Sequence, residues 1–150
     1  MVLDRNTGLT DDQKSSIGLA GEVIAKLWLE HKYPDVRWRS GYRNIVLGDD
    51  EGSDDLGYDF EVPRTTGSLF YEVKATNEAS SGRFEFEMSS GEIRLAQEMS
   101  RNERYRVLVI IGALEPDSAK IVELPNPLGR KSAPFFRPVG KGVRFRCAIA

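Results

Sequence analysis

One cysteine and one histidine are all that the 150 residues hold of the side chains that most often bind zinc or act as thiol nucleophiles. A single thiol, Cys147, excludes an internal disulfide framework and a thiolate-rich metal centre. It alternates with Val143, Phe145 and Ile149 in a strand-like C-terminal segment, which is the setting of a buried structural thiol. His31 stands alone at the end of a helical pattern near Pro34, so catalysis built on histidine finds little support. No apolar run is long enough to cross a bilayer, and Met1–Asn6 lacks a basic leader followed by an apolar stretch. The expected setting is the cytoplasm, with no membrane partner. Charge of one sign is also lacking: the net charge is -2, too little for a chain that holds nucleic acid by bulk electrostatics. The charges are nevertheless uneven. Acids crowd residues 49–61, and bases follow one another from Arg130 to Arg146. A local basic surface and two solvated faces of opposite sign are equally compatible with that pattern.

What is present fits a soluble globular protein, with 40% hydrophobic and 29% charged residues. A chain of this length buries roughly 70% of the surface that it exposes when unfolded. The expectation is a single domain over residues 1–150, with 1–9 as a flexible lead.

Thr10, Asp11, Asp12 and Gln13 form a capping box for a helix over 11–31, with Ile17, Ala20, Ile24, Leu27 and Trp28 as its core stripe. Glu22 lies off that stripe among Gly18, Ala25 and Leu29, a small-residue flank that permits close approach to another element. Val36–Ser40 alternates as a strand, and Ile45–Leu47 reads as an extension of the same sheet. Residues 48–57 form an acidic loop. Two strands then carry Asp59 and Glu72, joined through Pro63 and Gly67 and expected to pair antiparallel. Arg83–Met88 is a further strand with Phe84, Phe86 and Met88 on one face. Ser89 caps a second helix, and Glu92 is accounted for as the partner in that cap. Tyr105–Ile111 reads as a strand buried on both faces, followed by strands at 120–124 and 142–149. The order implies an α/β (α+β) fold, a central mixed sheet flanked by helices.

Within Leu69–Thr76 the period of two puts Glu72 and Lys74 on one face and Leu69, Tyr71, Val73 and Ala75 on the other. An isolated Glu-x-Lys pair is most often a solvated surface pair. Its significance here depends on Asp59: if that carboxylate faces the same spot, two hard oxygen ligands converge in a manner suited to magnesium. Arg37, Arg39 and Arg43 could bind phosphates or simply solvate an edge, and are not assigned.

Glu22 on the first helix, Gly57-Tyr58-Asp59-Phe60, Tyr71-Glu72-Val73-Lys74-Ala75-Thr76, Phe86-Glu87-Met88-Ser89 with Glu92 and Ala96, and Asn126-Pro127 together give a pattern that resembles the PD-(D/E)xK nuclease superfamily. Within it, the closer likeness is to the NO VEIN C-terminal-type domain, near the Mrr-like restriction endonucleases. The resemblance spans most of the chain. It implies a restriction-endonuclease-like fold and a Mg2+- or Mn2+-dependent phosphodiesterase, a DNA endonuclease of restriction, defence or DNA processing. By the same resemblance Asp59 and Glu72 are the metal-binding acids, Lys74 is the catalytic lysine, and Glu22 is the first-helix acid; a metal mechanism on this pattern would add the Val73 carbonyl as a third ligand and use Glu22 as an outer or second-metal ligand. Tyr58 stands where the motif has proline, and Arg101 follows Gln97 where some relatives have tyrosine. The resemblance also implies a helicase or ATPase module in the same or a partner protein, with Met1 then an internal start. The alternative is a non-cleaving module of nuclease-like fold that binds nucleic acid or protein.

Overall fold

The structure, a computed structural model, describes residues 9–78, 83–132, 136–138 and 144–148. Its first element, helix α1 (Asp11–Lys32), starts as its sequence predicts: the Thr10 hydroxyl accepts from Gln13 N at 3.1 Å and the Gln13 side chain accepts from Thr10 N at 2.8 Å. The buried face is rotated from the expected stripe. Ile17, Gly18, Gly21, Glu22, Ala25 and Leu29 are buried, whereas Leu27 is 61% exposed. The small residues explain the rotation, because a Cβ at Gly21 would overlap that of Ala75 on the sheet below. Close packing of the helix on the sheet wins over burial of the largest side chains.

Strand β1 (Arg37–Trp38) is followed by a short helix α2 (Tyr42–Leu47), where residues 45–47 were expected to be strand. Three consecutive apolar residues suit either element, and here Ile45, Val46 and Leu47 are all exposed. The polar residues beside them fix the helix instead. Arg43 bonds Asp49, Glu51 and the Trp38 carbonyl, and the Asn44 side chain pairs with both backbone groups of Gly52. Gly48, at a φ of 71°, then turns the chain out of the helix.

Strands β2 (Phe60–Val62), β3 (Leu69–Thr76), β5 (Tyr105–Ile111) and β6 (Lys120–Leu124) complete a five-stranded sheet in the order β1-β2-β3-β5-β6. The β3–β5 pair is parallel and the others are antiparallel, so the sheet is mixed and the Asp59 and Glu72 segments are antiparallel neighbours as expected. The crossover between β3 and β5 contains β4 (Arg83–Glu87) and helix α3 (Ser90–Glu98). Strand β4 does not join the central sheet. It pairs with β8 (Arg144–Ala148), which pairs with β7 (Phe136–Pro138), to make a second, antiparallel sheet.

The central sheet thus has a hydrophobic cluster on each face. Leu69, Tyr71, Val73, Ala75, Leu108 and Ile110 pack against α1. Val107, Val109 and Ile111 pack against Ala96 of α3 and against Phe84, Phe86, Phe136, Phe145 and Cys147 of the second sheet. Cys147 is a buried free thiol as its alternation predicts, and burial pushes its pKa up, away from reactivity.

Candidate active site

Alternation along β3 turns its apolar residues toward α1, leaving Glu72 and Lys74 on the face toward α3 and the second sheet. Asp59 reaches the same face from the residue just before β2. The pairing Trp38↔Phe60↔Tyr71 is continued by bonds from Arg39 N to Asp59 O and from Asp59 N to Tyr71 O, each 2.8 Å. Arg39 is thus the backbone neighbour of Asp59 across β1 and β2, while the Asp59 N–H is directed at Tyr71, the residue next to Glu72 on β3. Because β2 begins only at Phe60, Val73 meets no backbone partner on that side, and its N–H donates instead to Asp59 Oδ2 at 2.8 Å. The Asp59 carboxylate is thereby fixed at the notch where the ladder stops. By the same alternation the Val73 carbonyl turns toward that side.

Lys74 is completely buried and its Nζ lies 3.3 Å from Glu72 Oε2 and 2.8 Å from Glu92 Oε1. The ammonium also sits over the Phe86 ring, 5.8 Å from its centroid. Glu92 is the site residue that the sequence reading attributed to helix capping alone. It does cap: its N–H donates to Ser89 Oγ, and its Oε2 accepts from the same hydroxyl. The other carboxylate oxygen is left to hold Lys74, so one residue both starts α3 and ties it to β3. Ala96, one turn on, is fully buried. An acid one turn before an obligatorily buried alanine faces the sheet, and that spacing is the sequence signal that could have identified Glu92.

Glu22 enters from α1, past the end of the short β1. Its Oε1 accepts from Trp38 Nε1 at 2.9 Å and, over a short hydrogen bond, from Ser40 Oγ. Glu22, Asp59, Glu72 and Glu92 line one cleft of about 280 Å³, with Tyr42, Asp54, Gly57 and Tyr58 at its walls. Of the sequence-predicted site residues, Glu22, Asp59 and Glu72 line that cleft, whereas Val73 and Lys74 are buried behind it. In a second cleft of about 260 Å³ beside β6, Arg106 pairs with Glu123, Lys131 pairs with Glu103, and Arg130 donates to the Arg101 carbonyl.

The acids are electrostatically crowded. Burial, then the neighbouring Asp59 charge, raises Glu22 to about 7. Burial also raises Asp59, against the opposing pull of the Val73 N–H and Lys74. Glu72 is raised well above the ordinary value by burial and by Asp59. Burial alone would lower Lys74, but Glu72 and Glu92 outweigh it and hold the ammonium charged. One cation among four carboxylates leaves an excess of negative charge that protons or a metal ion would relieve.

The donor set fits a hard divalent ion. Glu72 Oε2 is buried and, despite its ion pair with Lys74, has no hydrogen-bond partner. Asp59 and Glu72 supply two carboxylates and Val73 a carbonyl, the oxygen ligands that magnesium takes together with water. Among the described residues, no three His, Cys, Asp or Glu side chains are gathered tightly enough to hold a metal ion by themselves. Glu22 is engaged by Trp38 and Ser40, so the residues that could hold such an ion are Asp59, Glu72 and the Val73 carbonyl.

No helix among the described residues is long and apolar enough to cross a membrane. No curated protein and no solved structure matches the chain. One family does: the profile described as Protein NO VEIN, C-terminal matches residues 36–124, from just before β1 to the end of β6. The match takes in Asp59, Glu72, Lys74 and Glu92, leaves Glu22 outside, and covers more than half of the 150 residues, so the chain belongs to the Protein NO VEIN C-terminal family.

Proposed function

We propose that the protein is a metal-dependent phosphodiesterase of the PD-(D/E)xK type that cuts nucleic acid, with DNA the expected substrate. The observation that carries this reading is the meeting of Asp59 and Glu72 at one cleft, with Lys74 two residues along β3 and in contact with Glu72. In the proposal Asp59, Glu72 and the Val73 carbonyl hold Mg2+ or Mn2+. When bound, such an ion lowers the pKa of its water and neutralises charge growing on the phosphoryl oxygens. Lys74 donates a hydrogen bond that orients the attacking water. Glu72 and Glu92 keep Lys74 charged and confine its ammonium, so the donor is positioned before substrate arrives. Glu22, with Oε1 fixed by Trp38 and Ser40, serves as the outer acid. A helicase or ATPase module in the same or a partner protein would select the target.

A second reading, a non-cleaving module that binds nucleic acid or protein, is favoured by one observation: Lys74 is fully buried and embraced by two carboxylates, as a purely structural lysine would be. Cleavage assays on DNA and RNA with magnesium or manganese separate the two. The nuclease reading expects cutting by the wild type, lost in Glu72→Gln and Lys74→Ala; binding without cutting under either metal, partner module included, would replace it with the second.

A further inference from the structure

The backbone partner of Asp59 on the β1 side is an arginine whose chemistry is unfinished. Arg39 lies one strand outward from Asp59, and its Nε is buried without a hydrogen-bond partner. Its guanidinium interacts with the Tyr58 side chain, at the wall of the acidic cleft. Next to it is a cleft of about 320 Å³ lined by Arg37, Trp38, Arg39, Arg43 and Glu51. The three arginines are not equivalent. Arg43 is occupied by Asp49, Glu51 and the Trp38 carbonyl, which makes it the anchor of the α2 loop. Neither Arg37 nor Arg39 forms a salt bridge among the described residues. Glu61, opposite Arg37 in the register, accepts from Ser68 at 2.7 Å.

A buried guanidinium N–H without an acceptor is rare, because guanidinium donors demand acceptors when removed from water. Arginine pairs best with planar or tetrahedral oxyanions through two parallel hydrogen bonds. The geometry points to a phosphate-binding subsite formed by Arg39 and Arg37 at the β1 edge, which takes a backbone phosphodiester of the nucleic acid adjacent to the one at the acids. The subsite rests on the nucleic-acid part of the proposed function, and not on cleavage. It also gives the negatively charged cleft a local cationic contact beside its wall at Tyr58.

The test uses fluorescein-labelled duplex and single-stranded DNA oligonucleotides, with anisotropy read in calcium buffer at several salt concentrations. The expected result is that Arg39→Gln and Arg37→Gln each weaken binding about tenfold and lower the salt slope by about one, as loss of one phosphate contact requires. Arg39→Lys should recover the slope but only part of the affinity, since the charge returns without the fork. Melting temperatures unchanged from wild type show that folding is intact. Wild-type affinity and slope in both glutamine variants, or no binding of any oligonucleotide by the wild type, would overturn the subsite. Parallel cleavage assays keep the two readings apart. A wild type that cuts, with glutamine variants that bind normally, removes only the subsite; variants that lose slope in a protein that never cuts remove only the nuclease.

Discussion

Replacement of Glu22 by glutamine should make the protein more stable, and increasingly so as pH rises. The carboxyl is 1% exposed and its pKa is raised to about 7 from an ordinary 4.5. A carboxyl with a raised folded-state pKa contributes stability that is fully present below 4.5 and is lost as pH rises through 7. Linkage then gives a loss of about 1.4 kcal/mol at pH 5.5 and about 3.3 kcal/mol at pH 8, a difference of about 2 kcal/mol. Glutamine keeps an oxygen to accept from Trp38 Nε1 and Ser40 Oγ, so it resembles the protonated acid and does not titrate. Urea unfolding of wild type and Glu22→Gln, both in chelator and at both pH values, reads the effect as a shift in midpoint at constant slope. Glu72 and Asp59 titrate in both proteins, and the part of the Asp59 response that depends on the Glu22 charge belongs to the effect being read. Equal stability differences at the two pH values, or a variant less stable at pH 8, would refute the electrostatic account of this acid.

Three further outcomes follow from the same geometry. Divalent cation should stabilise the wild type in thermal melts, and Asp59→Asn or Glu72→Gln should remove most of that shift while the apo proteins stay folded; an undiminished manganese shift in both variants would exclude these acids as ligands. Lys74→Met should destabilise by roughly 3–5 kcal/mol because it strands Glu72 and Glu92 without their cation, and adding Glu92→Gln should restore part of the loss; additive denaturation energies in the double-mutant cycle would deny the pairing. Gly21→Ala should cost about 1–3 kcal/mol because the new methyl forces α1 away from Ala75. A calorimetric Tm equal to that of the wild type would show that the helix accommodates it.

Local rules carried the sequence reading where local chemistry decides the structure. The Thr10–Gln13 cap, the alternation that separates Lys74 from Val73, and the antiparallel return from Asp59 to Glu72 are each settled by a few neighbouring residues. The rest depended on partners far along the chain. Nothing near Arg83–Glu87 announces that it pairs with Arg144–Ala148 instead of the central sheet, because that choice involves Phe86, which meets Phe136 edge-on and packs on Phe145. The rotation of α1 is decided by Ala75, a residue on another element. Glu92 was hidden for the opposite reason: a local explanation was available and correct, and it left one carboxylate oxygen unaccounted for.

The parallel pairing of β3 with β5 also orders events in time. Glu72 lies opposite Val107, and closing that register spans a stretch of chain that contains β4 and α3. Contacts so distant in sequence close late and slowly. Before they close, Glu72 and Lys74 stand in water, with ordinary affinities for protons and no means of holding one another. The constellation is therefore complete only with the crossover in place, because Glu92, the second partner of Lys74, arrives on α3.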